Sequence, residues 1–134
     1  MQAPDWVRER LDNWGRWMSE RSSSGLGFPR SNVISAYRGG SASADFVPVD
    51  SVAAGHTHQA VQMLRGTDDR AWMAVTCRYV GNPQVRPGMR RPMAHSEIAR
   101  LLQVSEPTAR AWTLGGELAV MQTLDRWQMR PALG

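Results

Sequence analysis

Lysine is absent from this chain: all sixteen basic residues are arginine. The base composition of the coding DNA suffices to explain that, so the weight falls on where the arginines lie. Cysteine is nearly absent. A lone Cys77 excludes an intrachain disulfide and fits a reducing compartment. No apolar run approaches the roughly 20 residues that a membrane-spanning helix requires. The opening MQAPDWVRER has no secretory signal pattern. A soluble, cytoplasmic protein with no membrane partner is expected.

Catalytic constellations are missing too. There is no Gly-rich phosphate loop, no Ser or Cys with a plausible base nearby, and no carboxylate pair at useful helical spacing. Asp68 and Asp69 are adjacent, so their side chains diverge and helix capping is the better account. A His-x-His pair, His56 and His58, invites a metal reading with Cys77 and His95 as distant partners. Residues two apart on a helix diverge, however, and four closed ligands are not evident. Neither enzyme activity nor a metal or cofactor is therefore expected. His56 falls on the apolar face of its helix and reads as a satisfied core histidine, whereas His58 does not.

What is present is one domain's worth of chain. At 134 residues, folding buries roughly two-thirds of the unfolded surface. Positive charge is unevenly placed. Residues 1–21 hold four acids and four Arg, whereas residues 86–134 hold seven Arg against four acids, a net +3 of the total +4. The excess lies where a polyanion would be met.

Periodicity predicts an all-α fold of about five helices in a single domain spanning 1–134. An opening helix over 4–21 carries Val7, Leu11, Trp14 and Met18 at helical spacing, with Trp6 and Trp17 widening the stripe. Gly15 inside it suggests close approach of another backbone. Residues 22–46 are broken by Gly, Ser and Pro into an irregular loop. A helical pair fills 47–80, one helix over Val49–Arg65 and one over Arg70–Val80. Residues 81–94 form a basic arm containing Arg90 and Arg91, suited to phosphate or to solvent. A last segment, 95–130, ends in a stripe of Leu118, Met121, Leu124 and Trp127, and Gly115-Gly116 either kinks or divides its helix.

The stretch HSEIARLLQVSEPTARAWT, His95 to Thr113, is the most informative. Ile98, Ala99, Leu101 and Leu102 give a first short helix an apolar face, and Gln103-Val104-Ser105 is a turn. Ser105 caps a second helix, with Pro107 tolerated in its first turn. Ala109 and Trp112 are expected to point back at the first helix, and Thr108, Arg110, Ala111 and Thr113 away from it. This is the spacing of a helix-turn-helix, which lays its second helix in the DNA major groove. Candidate DNA contacts are Ser105, Thr108, Arg110, Ala111 and Thr113, flanked by Arg90, Arg91 and Arg100, with Arg110 the main base reader. The turn lacks the usual glycine. The alternative is an ordinary helical hairpin buried in a core.

The order of these pieces resembles the phage late-gene antiterminators of the Q family, in the branch without a zinc module. The resemblance rests on LDNWGRW (Leu11–Trp17), GLGFPRS (Gly25–Ser31), VPVD (Val47–Asp50), a middle helical pair and SEIARLLQVSEPTAR, and covers about residues 4–128. The basic arm at 81–93 is longer than the family pattern. What the resemblance implies is a factor acting in the cytoplasm of a bacterial host. It would bind double-stranded DNA near a late promoter and load onto RNA polymerase paused there with its sigma factor. It would then block terminator hairpins at the RNA exit channel, with nascent RNA within reach. Phe28, Arg30 and Arg38 in the irregular loop are the candidates for a surface facing polymerase or RNA. Two other classes remain: a repressor or sigma-like regulator acting only through its helix-turn-helix, and a helical adaptor with no DNA affinity.

Overall fold

Five α-helices and no strand make up the described residues, 2–24, 48–84 and 91–129, of the computed structural model. They are α1 (Asp5–Ser24), α2 (Ser51–Thr67), α3 (Asp69–Tyr79), α4 (His95–Leu102) and α5 (Glu106–Arg126). The all-α expectation is thus met. Phe28, Arg30, Arg38 and Arg90 lie outside the described residues. No described helix is long and apolar enough to cross a membrane.

The first helix buries the stripe its periodicity announced: Val7, Leu11 and Trp14 are fully enclosed, with Trp6, Trp17 and Met18 packed around them. Its polar residues secure α2. Asn13 Nδ2 donates to the Asp50 carbonyl and Asn13 Oδ1 accepts the Asp50 N–H, both at 2.9 Å. Asp50 in turn caps α2, its carboxylate accepting from the Ala53 N–H at 3.0 Å. Asn13 of LDNWGRW and Asp50 of VPVD are therefore two halves of one clasp, and both backbone groups of the cap residue are satisfied through it.

The histidine assignment needs correction. His58, not His56, is the histidine held by the core: its Nδ1 accepts from Trp14 Nε1 at 3.1 Å, and its ring lies 5.5 Å from that of Trp17. Both histidines are half-buried, and what distinguishes His58 is its bond to Trp14. Trp14 is almost fully buried and its indole N–H must find an acceptor, a demand that helical periodicity within α2 does not reveal. No group of three or more His, Cys, Asp or Glu among the described residues is arranged to hold a metal ion.

A single residue, Asp68, joins α2 to α3. It ends the first helix, its N–H bonding to the Leu64 carbonyl, and caps the second through Ala71 N–H at 3.1 Å. Inside α3 the small residues Ala71, Ala74 and Cys77 face the core with Val75 and Thr76. Trp72 stays half-exposed beneath the Arg65 guanidinium, 4.5 Å from the ring centroid. Burial pushes the Cys77 thiol up to about 11.

Gly115 and Gly116 neither kink nor divide α5, which runs unbroken from Glu106 to Arg126. Gly116 is the contact point with α3: a Cβ there would lie 2.4 Å from Val75 Cγ2 and 3.0 Å from the Ala71 carbonyl oxygen. The buried stripe of α5 is accordingly Ala109, Thr113, Gly116, Val120 and Leu124. Leu118, Met121 and Trp127 of the expected stripe are only partly buried at its margin. The end of the described chain is tied down by Arg10, which donates to the Met129 carbonyl.

Candidate nucleic-acid interface

The helices α4 and α5 pack on α3 through a second apolar cluster. Ala74 and Cys77 of α3 meet Ile98 and Ala99 of α4 and Ala109 of α5, ringed by Met73, Met93, Leu101, Leu102, Val104 and Trp112. Ala99 is small where the helices must approach, as its place in the sequence suggested. Trp112 closes the outer edge under Arg70, whose guanidinium is 5.6 Å from the ring centroid.

Gln103 makes the turn by taking the left-handed conformation itself, φ 59° and ψ 46°. Its neighbour's N–H, that of Val104, bonds back to the Ala99 carbonyl at 3.0 Å, closing the end of α4. A non-glycine residue in this region carries about 1 kcal/mol of strain. At the other end of α4, the Glu97 carboxylate accepts the Ala94 N–H at 2.9 Å. Ser105 then caps α5 as expected: its Oγ accepts from the Thr108 N–H at 3.2 Å, and Pro107 sits in the first turn.

The outward face of α5 differs from its sequence reading. Thr113 is buried, 2% exposed, and its hydroxyl donates to the Ala109 carbonyl at 2.8 Å. It cannot touch DNA in this packing. An i−4 bond satisfies its polar atom inside the helix, which is why a threonine can occupy the core stripe. Thr108 is half-buried and its hydroxyl accepts from Ser105 Oγ at 2.8 Å. Arg110 and Ala111 are exposed, and so are Ser105, Arg91 and Arg100. Arg110 pairs with Glu106 one turn earlier at 3.0 Å.

The described ends of the basic arm are pinned to α3 and to each other. The Arg91 N–H bonds to the Val80 carbonyl at 2.8 Å and the Met93 N–H to the Cys77 carbonyl at 3.0 Å. Gly81 is required there: its φ is +133°, and a Cβ would meet the Arg91 carbonyl oxygen at 2.9 Å.

Five residues the sequence did not single out as contacts gather beside α5. A cleft of about 400 Å³ is lined by Arg8, Arg78, Tyr79, His95 and Glu117, together with Arg110. Glu117 is 8% exposed, and Tyr79 donates its hydroxyl to the carboxylate. Burial, then the hydrogen bond to that carboxylate, raises the Tyr79 hydroxyl above its ordinary range. His95 is held below its ordinary value, first by partial burial and then by the Arg78 and Arg110 charges, with Glu106 pulling the other way. Nothing in the sequence pointed to Glu117, which sits mid-helix and 38 positions from its partner. Arg78 carried a faint signal, as a basic residue in the last turn of a helix. Comparison of the chain with protein-family models, with curated proteins and with solved structures finds no match.

Proposed function

We propose that this chain is a DNA-binding transcription factor that docks α4 and α5 on duplex DNA as a helix-turn-helix, and that it acts as a phage-type late-gene antiterminator. The observation that carries the DNA-binding part is the α4–α5 geometry. An eight-residue helix, a left-handed turn at Gln103 and a Ser105-capped second helix leave Arg110 and Ala111 exposed on the first turns of α5. That is the end a recognition helix presents to a groove. Arg91 and Arg100, also exposed, flank it in the stretch of sequence that carries most of the chain's net positive charge.

The antitermination part is supported by the order of LDNWGRW, GLGFPRS, VPVD and the terminal helix pair. RNA polymerase with its sigma factor, and nascent RNA, are the further partners it brings, in the cytoplasm of a bacterial host. The same exposed face of α5 also suits a repressor or sigma-like regulator working through DNA alone. Transcription through a strong terminator, with purified bacterial RNA polymerase and a promoter fragment that the protein binds, separates the two. Terminator read-through that depends on the bound fragment is expected of an antiterminator. Binding with unchanged termination would leave the DNA-only regulator.

A further inference from the structure

We infer that the cleft between α1, α3, α4 and α5 seats a backbone phosphate of the bound DNA duplex, gripped by Arg8, Arg78 and Arg110. The inference rests on the DNA-binding reading above and adds to it where the strand runs and which side chains hold it.

Three guanidinium groups from three different helices line one cleft of about 400 Å³. The single carboxylate in its lining, Glu117, already accepts the Tyr79 hydroxyl. Arg78 has no carboxylate partner among the described residues; its Nη1 donates to the Met93 carbonyl at 3.0 Å and its remaining N–H groups are uncommitted. Arg8 pairs outward with Asp5, but its Nε is buried and has no hydrogen-bond partner. Arg110 pairs with Glu106 in an exposed i,i+4 bridge, its side chain 61% accessible. Exposed bridges of that kind contribute little and exchange readily for a better anion. The planar fork of arginine matches a phosphate with two parallel hydrogen bonds.

Two observations choose a DNA phosphate over a free anion. Arg110 and Ala111, the exposed residues of the first turns of α5, line the cleft as well as the face proposed to meet DNA. A phosphate in the cleft therefore lies at the edge of the groove that α5 would enter. The neighbouring hollow, which shares Arg8, Arg78 and Tyr79, sets Asp5, Glu9 and Asp12 against those two arginines and Arg16. With acids and arginines in balance, that hollow offers a phosphate less than the α4–α5 cleft, whose three arginines face one carboxylate. The loss of the buried Thr113 hydroxyl to an internal bond points the same way. What α5 retains outside is an arginine suited to phosphate. In the cleft Arg110 acts as a positioning contact.

His95 supplies an independent readout. The charged and titratable groups around it are Arg78 from α3, Arg110, Glu106 and Glu117 from α5, and Arg8 and Tyr79 across the cleft. A phosphate among them opposes the arginine charges that hold His95 down, so DNA binding raises its titration midpoint.

The test is fluorescence anisotropy with a random-sequence duplex of about 20 base pairs, titrated at several salt concentrations. The double variant Arg8→Gln with Arg78→Gln is expected to lower the slope of log K against log salt by about 0.9, the share of the one phosphate in the cleft, and each single variant by a part of that. Arg126→Gln, exposed at the far end of α5, is expected to leave the slope unchanged. Should Arg78→Gln melt early through loss of its bond to Met93, Arg8→Gln and the His95 midpoint, followed by NMR with and without duplex, decide. Wild-type slopes in the stably folded variants, with a His95 midpoint that DNA does not move, would overturn the cleft while leaving DNA binding intact. Absence of duplex binding by the wild-type protein would overturn both readings.

Discussion

Replacing Gly116 by alanine probes the packing on which the position of α5 depends. The new methyl would lie 2.4 Å from Val75 Cγ2, 3.0 Å from the Ala71 carbonyl oxygen and 3.3 Å from Leu64 Cδ2. Val75 is fully buried and β-branched, so it has little rotamer freedom to retreat. The Ala71 oxygen is backbone and moves only with α3 itself. Overpacking of this kind costs about 3 kcal/mol at the upper end. Alanine in place of glycine within a helix returns about 1 kcal/mol, leaving a net loss of about 2 kcal/mol. For a chain of this size that is a fall of roughly 6–10 °C in Tm. Gly115 is the internal control, because a Cβ there meets nothing within 4 Å. Gly115→Ala is expected to raise Tm by roughly 3–5 °C through helix propensity alone. Thermal melts by far-ultraviolet circular dichroism read both variants. Gly116→Ala melting at or above the wild type would refute the close crossing of α3 and α5, and with it the placement of the candidate interface.

Tyr79→Phe strips the buried Glu117 carboxylate of its donor and is expected to cost about 1–3 kcal/mol in urea denaturation. Because Tyr79 holds its proton more tightly when folded, its contribution is complete below its unfolded value and fades as pH rises above about 10. The phenylalanine variant should lack that alkaline loss. Gln103→Gly relieves the left-handed strain at the cost of chain entropy, a net gain of about 0.5 kcal/mol readable as a small rise in Tm. Cys77, with its thiol pushed up to about 11, should resist thiol reagents in the native protein at neutral pH and react at the rate of unfolding. His95, depressed in the free protein, stabilises the fold fully above its unfolded value of about 6.5, and that share is lost as pH falls through the folded value. Since a phosphate in the cleft raises the midpoint, duplex affinity should strengthen as pH falls through the bound midpoint toward the lower free one, measured by anisotropy at constant salt.

How much of this was legible in the sequence depends on the range of each interaction. Val7, Leu11 and Trp14 announced themselves because a helix repeats its inward face locally. The Ser105 cap was readable for the same reason, since cap and capped N–H are three residues apart. The pairs that fix one helix against another were not. Asn13 with Asp50, Trp14 with His58 and Tyr79 with Glu117 are separated by 37, 44 and 38 positions. Periodicity carries no information about partners that distant. Thr113 reads as outward because its side chain is polar, whereas its hydroxyl is satisfied one turn back along its own helix. Gly115 and Gly116 looked like a break, and only the atoms across the interface distinguish the tight glycine from the idle one. At the candidate interface, the exposed Arg110 and Ala111 and the turn were legible, whereas the cleft built by Arg8 and Arg78 required three helices to be assembled first.

The central claim, that α4 and α5 form the surface that meets duplex DNA, is tested most directly by titrating the isotopically labelled protein with a duplex selected from a random pool. Backbone NMR shifts are then followed residue by residue. The expected result is a contiguous set of perturbed amides over the Gln103–Ser105 turn, the first turns of α5 around Arg110 and Ala111, and the neighbourhood of Arg78 and His95, with the outer face of α2 around Val52 and Met63 unmoved. Perturbation centred on α2, or a protein whose spectrum the duplex leaves unchanged, would contradict it.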